Sequence, residues 1–211
     1  MSDGYGIWHN VELMVSEETV GRRRAPGHTK QLMVDSAVLL LRERGVAGVT
    51  VDAVLARSGA PRGSVYHHFP GGRDELILEA VRRAGDYIAA MVDEAAAGGD
   101  ARQALRRFVR FWQRTLADTE YRAGCPVVAV AVDSREGMPQ AADVVREVFA
   151  QWQAKLADLL VEDGFDSERA GRLATLVIAA IEGAVILCRS RRELGPLDDV
   201  LAEMAPLLEK S

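Results

Sequence analysis

Cysteine is scarce in this 211-residue chain, with only Cys125 and Cys188 present. Two thiols make no disulfide framework, so the core must come from packing, and a reducing compartment is the default. No apolar run approaches the roughly 20 residues that span a bilayer. The N-terminal "MSDGYGIWHNVELMV" lacks a basic stretch followed by an apolar one, so it does not read as a signal peptide. Strand-type alternation and internal repeats are missing as well. So are a phosphate loop, a dinucleotide fingerprint, a metal-ligand cluster and a G-x-S-x-G nucleophile elbow. Together these absences predict a cytoplasmic protein with no membrane segment, no catalytic residues, no metal and no cofactor.

The chain also lacks net positive charge, standing at -5. Its charge is nevertheless divided. Residues 22–73 hold nine Lys/Arg against three Asp/Glu, a surplus of +6, while the remainder holds 17 against 28 and carries -11. A basic module on an acidic body fits a local polyanion-binding patch on a protein that stays soluble.

What is present is helical periodicity. Residues 1–27, ending in "GRRRAPG", read as a disordered basic arm, and Met14 offers an alternative start. From Thr29, Val34, Ala37, Val38 and Leu41 recur at i, i+3, i+4, i+7, one buried stripe. Gly45 stops that helix. Thr50 stands as N-cap of "VDAVLARS", Gly59 breaks it, and Pro61 suits the first position of "PRGSVYHHF". In this third helix Val65 and Phe69 point inward, which leaves Arg62, Gly63, Tyr66 and His67 on the outer face. Longer helices are expected at about 73–97, 101–119, 139–162, 166–191 and 197–210, with a short apolar one after Pro126. The fold class is therefore all-α with about nine helices.

A short helix, a glycine turn and a second short helix with an exposed Arg-Tyr-His face describe a helix-turn-helix. Gly63 and Ser64 keep its leading end slim enough for a major groove, and Arg62 suits guanine O6/N7 or a phosphate. Tyr66, His67 and Arg73 suit the backbone. Other chemistries compete poorly at this site. Adjacent His67 and His68 point about 100° apart on a helix and chelate one ion badly. Ser64 with His67 has no orienting carboxylate. Cys125, just before a helix start, raises the question of a reactive thiolate, whereas Cys188 sits in a nearly all-apolar helix and reads as packing.

"TVDAVLARSGAPRGSVYHHFPGGRDELILEAV" resembles the DNA-binding segment of the TetR family of one-component repressors, and the likeness is strong over about residues 29–82. "GCPVVAVAVD" and "IEGAVILCRSRRELGPLDDV" resemble the regulatory half of the LmrA/YxaF-like branch. The resemblance implies a helix-turn-helix domain at 28–75 and a helical ligand-binding and dimerisation domain at 76–211. It places DNA contacts on Thr50, Arg62, Gly63, Ser64, Tyr66, His67 and Arg73. Leu55, where many members have a small residue, and Pro61, where many have a Ser cap, depart from the pattern. "FPGG" is one residue longer than the common turn, a form that suits the branch. The implied partners are a double-stranded palindromic operator, a second copy of the chain and a small apolar or aromatic effector of the drug or flavonoid type.

Two further sets of residues follow from the helical body. In "LATLVIAAIEGAVILC" (173–188) apolar residues run nearly all round, so the helix needs cover on both sides. Leu176, Ala180, Gly183, Ala184 and Leu187 are the expected homodimer surface. Phe108, Trp112, Val128, Val132, Phe149, Trp152 and Leu176 are the expected lining of an apolar cavity, with Asp133 and Arg135 as polar anchors.

Overall fold

The computed structural model describes residues 27–96, 100–133 and 138–209. Nine α-helices, and no strand, occur among them. They are α1 (His28–Gly48), α2 (Val51–Ser58), α3 (Ser64–His68), α4 (Gly72–Ala96), α5 (Ala101–Asp118), α6 (Pro126–Val132), α7 (Pro139–Glu162), α8 (Ser167–Arg191) and α9 (Gly195–Met204). A 3-10 turn, Pro206–Leu208, follows. The expected basic arm, apart from Gly27, and the anchor Arg135 lie outside the described residues.

Local signals place the boundaries of the small helices. Gly45 takes φ 67°, ψ -170°, so α1 kinks there and its last residues form a separate turn. Thr50 caps α2, its hydroxyl oxygen accepting from the Ala53 amide at 3.1 Å. Gly59 closes α2 at φ 63°. The third helix is shorter than its sequence pattern suggests. Pro61, Arg62 and Gly63 form a turn that closes when the Ser64 amide donates to the Pro61 carbonyl at 2.9 Å. Pro61 therefore starts the turn, and Arg62 and Gly63 precede the helix.

Helices α1 to α3 enclose one end of the core. Val54, Val65 and Phe69 are fully buried against Met33, Val34 and Val38 of α1 and Leu76 and Ile77 of α4. Ion pairs join the elements at the edges. Arg57 on α2 grips Glu43 on α1 with two bonds of 2.9 and 3.0 Å. Arg83 on α4 bonds Asp35 on α1 at 3.0 Å. Helix α4 runs unbroken through the expected division at residues 75/76, so the two halves share it as a common beam.

The body packs α4 against α7, α7 against α8, and α8 against α9. Gly85 lets α4 and α7 approach closely, because a Cβ there would meet the Val148 methyls at 2.7 and 2.8 Å. The Gly85 carbonyl accepts a bond from Trp152 Nε1 at 2.9 Å. One correction concerns α8, which is long and apolar enough in composition to cross a membrane. Its composition has another explanation. Leu173, Val177, Ile181, Val185 and Cys188 are buried in the bundle, and a second apolar face, Leu176, Ile186 and Leu187, points outward.

Candidate nucleic-acid interface and ligand cavity

The outer side of the helix-turn-helix is polar and open. Arg62, Gly63, Tyr66 and His67 are exposed and Ser64 is half-buried. Tyr66 presents 66% of its surface, while Val65 and Phe69, its neighbours on either side of the helical turn, present none. A burial period of four on a five-residue helix fixes which side faces out. Beside the Tyr66 ring, Gly72 holds φ 67°, and a Cβ there would reach the ring at 3.4 Å. The His67 and His68 rings meet edge to face, their centroids 4.8 Å apart.

Arg73 has a different setting from the other five. Its Nε donates to the Val49 carbonyl and its Nη2 to the Val46 carbonyl, both at 2.6 Å. Asp74 lies 3.4 Å from Nη1. Arg73 thus pins the start of α4 to the α1–α2 connection, and its outward reach is limited. Thr50 Oγ1 is likewise engaged as a cap, yet its hydroxyl proton stays available for donation.

A cavity of about 440 Å³ opens in the body between α1, α4, α5, α7 and α8. Its aromatic lining is Tyr87, Phe108, Phe111 and Trp152. Phe108 and Phe111 stack at 6.1 Å and Tyr87 sits 6.2 Å from Phe111. Of the eight residues expected to line it, only Phe108 and Trp152 do. Trp112 is 2% exposed and packs behind the Phe108 and Phe111 rings. Phe149 lies against Trp152, 5.3 Å away, and Val128 packs on the core. Val132 and Leu176 point to the outside, and Asp133, on the C-cap of α6, is not among the lining groups. The error has one cause: helical spacing shows that a side chain faces inward, but not whether the space in front of it is filled.

Sequence reasoning missed Arg42, Tyr87, Phe111 and Glu182. Arg42, 6% exposed, reaches the cavity from α1 of the DNA-binding end, and its backbone carbonyl accepts from the Gly124 amide at 2.9 Å. Glu182 lines the cavity from α8, and its Oε2 is buried without a hydrogen-bond partner. Burial lifts its carboxyl to about 7, opposed by a hydrogen bond with the Cys125 thiol. The available signal was a single acid within the apolar stretch 173–188. Burial also drives the Cys125 thiol well above its ordinary range, with the Glu182 charge adding to the rise. The question raised by the helix start is answered toward the neutral thiol, because desolvation outweighs the helix terminus.

On α8 the outward stripe reads Leu176, Ala179, Ile186 and Leu187, with Ala180 and Gly183 half-buried on it. Ala184, placed on the pairing surface by its spacing, is 2% exposed and belongs to the core. A Cβ at Gly183 would meet nothing within 4 Å.

An exposed helix-turn-helix face carried by a helical bundle with a cavity points to a class: a DNA-binding transcriptional regulator. The comparisons agree. Residues 33–80 match the family model of bacterial regulatory proteins of the TetR family. Residues 101–203 match that of the LmrA/YxaF-like transcriptional regulator C-terminal domain. The chain is 42% identical over 184 residues to the HTH-type transcriptional regulator Rv0196 of Mycobacterium tuberculosis, covering 85% of this chain and 93% of that one. It is 30% identical over 183 residues to YxaF of Bacillus subtilis, covering 86% and 95%. A crystal structure of regulatory protein TetR from Rhodobacter sphaeroides shares the fold, with a TM-score of 0.76 over 84% of this chain and 97% of that one at 22% identity. The chain belongs to the TetR family of DNA-binding transcriptional regulators, in its LmrA/YxaF-like branch.

Proposed function

We propose that the protein is a cytoplasmic repressor that binds a palindromic operator as a homodimer and is released by a small, mostly apolar aromatic effector. The observation that carries this reading is the cavity wall. Arg42 comes from the helix that anchors the helix-turn-helix, and Tyr87, Ile88 and Met91 come from α4, whose other end holds that module through Arg73. A ligand that moves these groups tilts the module directly. In each protomer Arg62, Gly63, Ser64, Tyr66 and His67 enter a major groove, with Thr50 and the start of α4 at Arg73 on the phosphates. Two such faces must lie about one helical turn apart, roughly 34–36 Å.

The dimer pairs the outward stripe of α8, Leu176 to Leu187, together with α9, against the same surfaces of a second copy. This explains an apolar face on a helix whose other side is already packed. Induction requires the effector to prefer the DNA-incompetent arrangement. Shifting a 1:99 population to 99:1 takes about 5.5 kcal/mol of differential affinity. Operator DNA must then weaken effector binding by the same factor.

The test is selection of genomic fragments by the purified protein with and without a compound library, followed by calorimetry of each hit. A hit whose affinity is equal with and without saturating operator is no inducer. If no hit discriminates, the protein is a DNA-binding regulator without an effector.

A further inference from the structure

Arg189, near the end of α8, reaches across to the connection between α5 and α6. Its Nη2 donates to the Arg122 carbonyl at 3.0 Å. Its guanidinium lies over Gly124, where a Cβ would meet Nη1 at 2.6 Å. The Gly124 amide in turn donates to the Arg42 carbonyl of α1 at 2.9 Å. Arg42 stands just before the Gly45 kink, so its carbonyl is among the last of a helical segment, which lack donors within the helix. Two turns earlier on α8, Glu182 meets the Cys125 thiol, so α8 holds this connection at a second point.

The connection is not a relaxed turn. Glu120 and Tyr121 both take left-handed backbone, at φ 49° and 61°. Residues with a Cβ keep that conformation only where their surroundings hold them in it, and such places concentrate at working parts of a protein. On the α5 side the Tyr121 amide donates to the Leu116 carbonyl at 2.7 Å and the Ala123 amide to Thr119 Oγ1 at 3.3 Å. On the other side the hold comes from α8 through Arg189 and from α1 through Arg42.

The fold thus joins α8 to the DNA-binding end by a route separate from α4. Helix α4 is one long rod, and a module held by a single rod can still swing about it. A second contact away from the rod removes that freedom. Helix α8 carries the outward apolar stripe that ends at Ile186 and Leu187, and Arg189 follows two residues later. With α8 as the pairing helix, whatever fixes α1 to α8 also fixes where each helix-turn-helix stands from the twofold axis. We propose that Arg189 is a positioning residue for DNA binding: through Gly124 and the Arg42 carbonyl it braces α1 against α8, and so sets the half-site spacing that the dimer accepts. This deepens the operator and homodimer reading and rests on it.

The experiment uses the full-length protein and synthetic duplexes carrying the two half-sites that the parent selects from a random pool. The spacer is kept at its selected length or changed by one or two base pairs, each of which moves a half-site by about 3.4 Å and turns it by about 34°. The parent should lose about tenfold or more on the larger change, because a rigid pair of recognition helices then misses one groove. Arg189→Ala should bind the selected spacing about three- to tenfold more weakly, since the competent arrangement becomes one of several, and should lose less than about threefold when the spacing changes. Arg189→Lys, which keeps a donor for the Arg122 carbonyl, should restore part of the discrimination. Gly124→Ala displaces the guanidinium without removing it and should copy Arg189→Ala, and the double variant should be no worse than either alone.

Arg189 is exposed, so melts of its variants should stay close to the parent's. Should Arg189→Ala fail to fold, Gly124→Ala and Arg189→Lys carry the test. Spin labels at Asp52→Cys, exposed on α2, read the same geometry without DNA, because both native thiols are buried. The label-to-label distance across the dimer should be narrowly distributed in the parent and broad in Arg189→Ala. Unchanged spacing discrimination in Arg189→Ala and Gly124→Ala would overturn the proposal, whatever the labels show. Equal weakening at every spacing would overturn it as well and leave Arg189 a contact for stability alone. A parent that selects no palindrome, or gives no label-to-label signal, would remove the operator and dimer reading and this proposal with it.

Discussion

Arg73 spans the junction between the two halves of the chain, its guanidinium donating to the carbonyls of Val46 and Val49 at 2.6 Å each. Those carbonyls belong to the turn between the kink of α1 and the cap of α2. A residue that the sequence assigns to the DNA backbone is thus tied to backbone oxygens of its own chain. Charge-assisted hydrogen bonds of this kind contribute about 1.5–3 kcal/mol each.

Arg73→Ala is therefore expected to destabilise the fold by about 2–4 kcal/mol, beyond any effect on DNA. Arg62→Ala, at an exposed turn position, should leave stability within about 0.5 kcal/mol. Urea unfolding of both variants checks this. A stable Arg73→Ala that binds DNA poorly would assign Arg73 to the phosphates instead.

Tyr66 and Arg62 should separate by salt. Arg62→Ala removes a cation, so the slope of log affinity against log salt should drop by about 0.9 if Arg62 meets a phosphate. If it reads a base, sequence preference should relax, with a cost of about 1–3 kcal/mol at one position. Tyr66→Ala should weaken all sequences alike and keep the slope. Fluorescence titrations at several salt concentrations decide, and parent-like binding by both variants would remove this face from the interface.

Gly183 and Ala184 are neighbours in sequence with opposite surroundings. Gly183→Arg enters open space, so it should fold normally and yield monomers with poor operator binding. Ala184→Arg forces a charge into the core, 2% exposed in the parent, and should lower stability severely, by about 3 kcal/mol or more. Light scattering and thermal melts distinguish them. A dimeric Gly183→Arg would move the pairing surface elsewhere.

The Glu182 carboxyl titrates near 7 in the fold against 4.5 for the free side chain. The folded state holds its proton more tightly, so stability should fall as pH rises from about 4.5 through 7, and stay flat outside that window. The loss is of the order of 2–4 kcal/mol. Glu182→Gln should remove most of this loss, becoming more stable than the parent at pH 8 while differing little at pH 4. Denaturant midpoints at the two pH values test the sign.

The DNA-binding end was legible almost residue by residue. Thr50 as a cap, Gly59 as a stop, and Val65 and Phe69 as the inner pair are local features, set by backbone preference and by a period of four. The start of α3 was not, because Pro61 serves the first position of a turn as readily as that of a helix, and only packing of Val65 places the helical register. The body was legible as helices and poorly as a site. Trp112 and Phe111 are adjacent in sequence, yet Phe111 lines the cavity and Trp112 fills the space behind it.

The sequence by itself determined the all-α class, the order of the helices, the division of charge and the outward face at Arg62, Gly63, Tyr66 and His67. These depend on interactions a few residues apart, where dihedral preference and helical period leave little choice. Only the tertiary structure decided that Arg73 is tied to the Val46 and Val49 carbonyls, that Ala184 is core while a side chain at Gly183 would meet open space, and that Arg42 and Glu182 meet one cavity from positions 140 residues apart in the chain. A cavity is the volume that packed side chains fail to fill. Its location depends on how five helices stack, and spacing along any one of them carries no record of it.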